Sequence, residues 1–166
     1  MRCASGAIDR CAEALSREGF AARVAWCGGE GARRLYTALL ARGVAGSEGG
    51  GSEAAGEALG AAAAGQRVVL AASGFEGAAA AVPAVREMAR AGVGGLVVVP
   101  SHGFESGAPL PDAGDVDLRV LAVTDVAVVR VSDARDLDAV ERACVAAWER
   151  ARREARPVVL TFSFVE

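Results

Sequence analysis

The sequence of 166 residues contains no lysine and no asparagine, and His102 is its single histidine. The absence of lysine excludes a Walker-type ATP site and Schiff-base chemistry, because both need a lysine amine. One histidine cannot build a three-histidine zinc centre, and a Ser-His-Asp triad would have to use His102. These absences remove several large classes of enzyme.

Cysteine and aromatic residues are scarce as well. The four cysteines form no Cys-x-x-Cys pair, which argues against an iron–sulfur cluster or a zinc knuckle and favours a role as small core side chains. With 5% aromatic residues and a net charge of −3, the chain is not expected to bind nucleic acid. No apolar run reaches the roughly 20 residues that cross a bilayer, and no signal peptide is visible. We therefore expect a cytoplasmic protein without membrane contact.

Short apolar runs rich in β-branched residues are bounded by turn residues and predict buried strands of a parallel sheet. Parallel strands need crossover connections, and helical patterns fill most of the gaps between these runs. A glycine follows most of the predicted helices, as a left-handed C-cap requires. The predicted strands are 23–26, 68–72, 96–99, 126–129 and 158–162, and the predicted helices are 7–17, 31–42, 53–64, 78–91 and 136–154.

This alternation predicts an α/β fold, in which residues 1–166 form a single doubly wound domain with a mostly parallel sheet of five or six strands flanked by helices. Residues 45–52 are glycine-dense and predict either a flexible linker or a ligand loop. Residues 101–117 predict a long loop after a strand. Ser132 or Asp133 is the predicted N-cap of the last helix.

Loops that follow predicted strands carry the candidate chemistry, because ligands bind beyond the carboxyl ends of the strands in open α/β sheets. The turns at 27–31 and 73–77 hold glycines that would let backbone amides approach a ligand, although a plain tight turn explains them equally well. His102, in the third loop, is a candidate acid–base group or substrate donor, and an ordinary surface histidine is the alternative.

Residues 49–77 combine three features: an acid near the start of a helix of small residues, the spaced Gly60 and Gly65, and a strand at 67–72 that leads into a Ser73-Gly74 turn. This combination resembles the pyrimidine-binding domain of thiamine-diphosphate enzymes. Two further segments, 98–104 and 156–160, are similar to the stand-alone α subunits of sulfopyruvate and phosphonopyruvate decarboxylases.

The resemblance implies the pyrimidine-side subunit of a heteromeric thiamine-diphosphate-dependent 2-oxoacid decarboxylase, a lyase acting on a small 2-oxoacid. It also implies that Mg²⁺ and the diphosphate are held by a separate β subunit, because the Gly-Asp-Gly…Asn motif for that end is absent here. In this interpretation Glu53 bonds to a ring nitrogen of the aminopyrimidine and activates the cofactor, while His102 contacts substrate. The implied cofactor-binding residues are Gly51, Ser52, Ser73, Gly74 and Phe75.

The family's activating acid lies nine residues before the position of Gly60, and Gly51 stands there in this sequence. Either the helix starts later, with Ser52 as its N-cap and Glu53 in the acid's role, or the glutamate is missing. Glu53 would otherwise be a first-turn acid that favours the helix dipole.

Three alternatives for the whole chain stay open: the α domain of a 2-oxoacid:ferredoxin oxidoreductase, a degenerate non-catalytic partner subunit, and an unrelated α/β binding domain. If the chain pairs with a partner, the chain alone should expose an apolar face and either self-associate or be poorly behaved in solution.

Overall fold

Six parallel strands form one sheet in the computed structural model, which describes residues 2–17, 20–100 and 113–162. Their order across the sheet is β2-β1-β3-β4-β6-β5, and every neighbouring pair is parallel. The strands are β1 (Arg23–Gly28), β2 (Ala45–Gly46), β3 (Val68–Ala72), β4 (Gly95–Pro100), β5 (Ala127–Val131) and β6 (Pro157–Phe162).

Helices cover both faces of this sheet, as crossover connections between parallel strands require. Three of them pack on one face and three on the other, so the prediction of a doubly wound α/β fold is confirmed. The first face carries α1 (Arg2–Ser16), α2 (Glu30–Ala41) and α6 (Leu137–Glu154), and the second carries α3 (Gly51–Ala63), α4 (Gly74–Ala91) and α5 (Ala113–Ala122).

The core lies in two layers, one on each face of the sheet. Leu35 and Trp148 belong to the first layer, whereas Val85 and Met88 belong to the second. The central strands β3 and β4 are buried along their whole length, which explains why their sequences are continuously apolar rather than alternating.

Several boundaries differ from the sequence-based expectation. Part of the predicted loop at 101–117 is helical, since α5 begins at Ala113. Its first half contains Gly114, Asp115 and Asp117, which look like loop residues in the sequence. The N-cap of α6 is Asp136, whose carboxylate accepts from the amide of Ala139 at 3.0 Å, and not Ser132 or Asp133. The two-residue strand β2 has no apolar run to mark it.

The connections that leave β1 and β3 run in opposite directions along the sheet. Helix α2 leads from β1 outward to β2, whereas α4 leads from β3 to β4 on the other side. The carboxyl ends of β1 and β3 therefore form the topological switch point, where open α/β sheets place their ligands. Within the described residues, no helix has the length and apolar character needed to span a membrane.

Candidate functional site

Two turns meet at the switch point between β1 and β3. The amide of Ser73 donates to the carbonyl of Gly28 at 3.0 Å, and the Ser73 hydroxyl accepts from the amide of Ala32 at 3.0 Å. A Cβ placed on Gly29 would lie 2.1 Å from the Ser73 Oγ, and one on Gly77 would lie 2.4 Å from the Gly28 oxygen. The glycines in these turns thus serve close packing of backbone on backbone, and the floor of the switch point is filled by protein.

Trp26 forms a wall beside this floor. Its Nε1 donates to the carbonyl of Gly29 at 2.9 Å, and its ring lies so close to Gly50 that a Cβ there would be 3.0 Å away. The guanidinium carbon of Arg33 is 5.7 Å from the ring centroid, within range of a cation–π contact. Trp26 therefore connects the turn after β1 with the segment that leads into α3.

The segment between β2 and α3 is also held from the side of α2. The Ser47 amide donates to the Val24 carbonyl at 2.9 Å, and the Tyr36 hydroxyl donates to the Ser47 carbonyl at 3.0 Å. The Ser47 hydroxyl is buried and has no hydrogen-bond partner among the described residues. These contacts fix where the extended segment ends and α3 begins.

Helix α3 begins at Gly51, with Gly50 as its N-cap, so the later start with Ser52 as N-cap is wrong. The contact between Gly50 and Trp26 gives the physical reason, because it holds Gly50 in extended geometry directly before the helix. Gly51 has a φ of +67° and open space where a side chain would be. Glu53 lies in the first turn and is exposed.

Carboxylates dominate the described side chains around this edge of the sheet. Glu30, Glu53 and Glu76 lie in the first turns of α2, α3 and α4, and Glu48 lies in the segment before α3; all four are exposed. Two arginines lie nearby: the Arg33 guanidinium lies over Trp26, and Arg34 forms a long, exposed ion pair with Glu30 at 3.9 Å. The described side chains at this edge therefore carry more negative than positive charge.

The remaining predicted site residues are differently placed. Ser73 is 2% exposed and its hydroxyl is occupied, whereas Gly74 and Phe75 open α4 and the Phe75 ring is 65% exposed. His102 lies outside the described residues, so its role stays a prediction. Burial raises the pKa of the Cys27 thiol to about 12, which keeps it protonated at neutral pH and unsuited to nucleophilic chemistry. Within the described ranges, no cluster of histidine, cysteine or carboxylate side chains could hold a metal ion.

Sequence reasoning missed the wall formed by Trp26. The available signal was its place at the end of the predicted strand 23–26, on the edge where ligand loops gather. Its contact with Gly50 joins positions that the sequence separates by a whole βα unit, and no local pattern encodes that contact.

The chain matches no protein-family model and no curated protein. Its function therefore has to be argued from its own residues.

Proposed function

We propose that this chain is the pyrimidine-side subunit of a heteromeric thiamine-diphosphate-dependent 2-oxoacid decarboxylase. In this proposal a separate chain holds Mg²⁺ and the diphosphate, and the cofactor bridges the two subunits. The combination of small-residue helix, spaced glycines and Ser73-Gly74 turn is the sequence feature that leads to it.

The distribution of charge at the switch point is the observation that carries the proposal. Four exposed carboxylates lie around this edge, while Arg33 and Arg34 already contact Trp26 and Glu30. A diphosphate would be repelled by such an edge, whereas an aminopyrimidine carries no negative charge. This asymmetry suits a subunit that takes only the ring end of the cofactor.

The space beside the residues before and within the first turn of α3 is open. Neither Gly49 nor Gly51 has an atom within 4 Å of the position a Cβ would take, so a flat ring can approach the backbone there. The exposed carboxyl group of Glu53 lies in the same turn as Gly51. Thiamine diphosphate, when bound, would supply the nucleophilic carbon and electron sink that decarboxylation of a 2-oxoacid needs.

The roles of the chain's own residues follow from their chemistry. The Glu53 carboxyl would hold a proton at a ring nitrogen, and the backbone at Gly51, Ser52, Gly74 and Phe75 would border the ring. Ser73 would act indirectly, because its hydroxyl already positions the turn after β1. His102 would contact the 2-oxoacid or the species formed from it.

The test begins with a tagged form of the chain, purified from its own cells, and identification of any copurified subunit that carries Gly-Asp-Gly…Asn. Calorimetry with thiamine diphosphate and Mg²⁺ should show binding to the complex. The loaded complex should also release CO₂ from sulfopyruvate or phosphonopyruvate. A complex that binds no thiamine diphosphate in the presence of Mg²⁺ would reject the proposal.

The role of Glu53 is tested by Glu53→Gln in the reconstituted complex. Loss of a group that holds a proton on the ring should lower kcat by about 100-fold or more. Glu57→Gln is the matched control, because Glu57 lies one turn further along α3 and pairs with Arg23 at 3.2 Å. Equal kcat values for the two variants would remove Glu53 from the catalytic machinery.

A non-catalytic partner subunit is the second candidate function. It is favoured by Gly51, which places no carboxyl group at the position of the family's acid, and by the start of α3 at that residue. Turnover that is unchanged in Glu53→Gln but lost without the chain would support this alternative. A requirement for an electron acceptor would instead indicate the 2-oxoacid:ferredoxin oxidoreductase.

A further inference from the structure

Helix α4 carries an exposed aromatic knob at its N-terminal end. Phe75 is 65% exposed, more than any other large apolar side chain that the structure describes. Single exposed apolar side chains are common on protein surfaces. Phe75 is notable because the same helix also borders a groove.

The groove lies between the C-terminal half of α4, the end of α5 and the start of β6. It has a volume of about 670 Å³. Val82, Pro83 and the 55%-exposed Val123 supply its apolar part. Arg86, Arg90 and Arg156 supply three positive charges against the one negative charge of Glu87, so the groove is positive in sum. Its chemistry therefore fits an apolar side chain that is flanked by a carboxylate.

Phe75 has such a carboxylate as its neighbour, since Glu76 follows it in the first turn of α4. Both residues are exposed, and so are Arg86 and Arg90 at the other end of the helix. Arg90 pairs with Glu87 at 3.6 Å, but both side chains are more than half exposed, so this pair holds Arg90 only weakly. The helix thus presents an acidic end with an aromatic knob and a basic end with a groove.

A two-fold axis across the middle of α4 would bring these ends together. Phe75 and Arg86 are eleven residues apart, which is about 16 Å along the helix. The midpoint falls between the half-buried Ala80 and the buried Ala81, and the small side chains in this part of α4 allow two antiparallel helices to approach closely. Each Phe75 would then lie over the groove of the other copy, with each Glu76 beside the partner's Arg86 and Arg90.

We propose that a second copy of this chain binds on α4, with Phe75 of each copy in the α4–α5 groove of the other. The interface is isologous, because the same knob and groove occur on both copies. This inference does not depend on the proposed function, and it gives the Phe75 side chain a role in assembly while the Phe75 backbone stays at the turn after β3. It also specifies the face through which the chain should self-associate.

Sedimentation equilibrium of the isolated chain tests the proposal. The wild type should show a monomer–dimer equilibrium, and Phe75→Ser should raise the dissociation constant by roughly 30-fold, as expected for truncation of a central aromatic anchor. Leu40→Ser is the matched control, because Leu40 is 39% exposed but lies on α2, on the other face of the sheet. Its dissociation constant should equal that of the wild type.

Charge reversal tests the orientation of the two copies. Glu76→Arg and Arg86→Glu should each weaken the dimer, and the double variant should restore most of the affinity, because each acid again meets a base across the two-fold axis. A wild type that stays monomeric at about 100 µM would overturn the proposal. Equal effects of Phe75→Ser and Leu40→Ser, or a double variant weaker than both single variants, would overturn it as well.

Discussion

At the scale of single residues, the packing of the two turns at the switch point depends on glycines, which have no Cβ atom, and on the Ser73 hydroxyl. Gly28, Gly29 and Gly77 lack the Cβ atoms that would collide with the neighbouring turn, and the Ser73 hydroxyl lies in the space beside Gly29. The two turns therefore hold each other in place through backbone contacts. This accounts for a glycine-rich pattern that also looks like a ligand loop.

The contact between the two turns predicts that Gly29→Ala destabilises the fold more than Gly65→Ala. Both glycines have a φ near +90°, but only Gly29 faces another backbone, whereas Gly65 faces open space. We expect a loss of about 1–2 kcal/mol in the free energy of unfolding for Gly65→Ala and about 3 kcal/mol or more for Gly29→Ala. Urea titrations of the two variants measure the difference, and equal losses would contradict the role given to this contact.

Buried Cys27 predicts a loss of stability in alkaline solution. Its pKa is raised from 9.0 to about 12 by burial, so the unfolded chain releases the thiol proton at lower pH than the folded chain. The associated stability is present below about pH 9 and is lost as the pH rises toward 12. Between about pH 8 and pH 10 the free energy of unfolding should fall about 1 kcal/mol less in Cys27→Ala than in the wild type. Parallel falls in the two proteins would show that the thiol does not contribute.

At the scale of elements, α1 and α6 are joined through one carboxylate. Glu141 accepts from Arg10 at 2.9 Å and pairs with Arg17, both of which lie on or directly after α1. Beneath this cluster, the Sγ atoms of the buried Cys11 and Cys144 are 3.4 Å apart. The first helix and the last long helix thus support each other, although they are far apart in sequence.

The Glu141 cluster predicts a specific dependence on acid pH. Hydrogen bonds from Arg17, and then from Arg10, lower the pKa of Glu141 below its ordinary value of 4.5. The associated stability is present above about 4.5 and is lost as the pH falls through the lower pKa of the folded state. Urea titrations at neutral and acid pH should therefore show a smaller acid loss in Glu141→Gln than in the wild type. Glu149→Gln, an exposed change on the same helix, should behave as the wild type does.

At the scale of the whole molecule, acidic residues lie near the starts of the helices and basic residues lie near their ends. The helices that follow strands begin at the carboxyl edge of the sheet, and three of them carry glutamates there: Glu30, Glu53 and Glu76. Basic residues occur near the opposite ends, as Arg90 in α4 and Arg152 in α6 illustrate. Each sign lies where the helix dipoles favour it. The excess of acidic side chains at the carboxyl edge supports the proposed division of the cofactor between two chains.

Local patterns predicted much of the fold. Strand β3 has the predicted bounds, and β1, β4 and β6 lie within two residues of theirs, because a run of buried β-branched residues is itself the signal for a central strand. The glycines just past the helix ends, Gly43, Gly65 and Gly92, have the expected positive φ. The failures included β2 and α5, whose short segments lack such runs and are defined by their neighbours. Helix α1 begins at Arg2, five residues earlier than predicted, and β5 is only partly buried because it lies at the edge of the sheet.

The candidate site was predicted less completely. The sequence marked the turns after β1 and β3 and the acid Glu53, since glycines and carboxylates after strands are local signals. It did not mark Trp26, and it put the start of α3 too late, because that start depends on the packing of Gly50 against Trp26.

The amino-acid order by itself determined the class of fold, because the spacing of apolar residues and the turn residues define strands and helices within a few neighbouring positions. It also excluded lysine-dependent and multi-histidine chemistry, because a missing side chain cannot be supplied by folding. Only the tertiary structure decided that Ser73 contacts the glycine-rich turn after β1 and that four carboxylates share one edge of the sheet. It also decided that Phe75 and a basic groove lie at opposite ends of one helix. Such relations join residues from different βαβ units, and they arise when the strands take their order in the sheet.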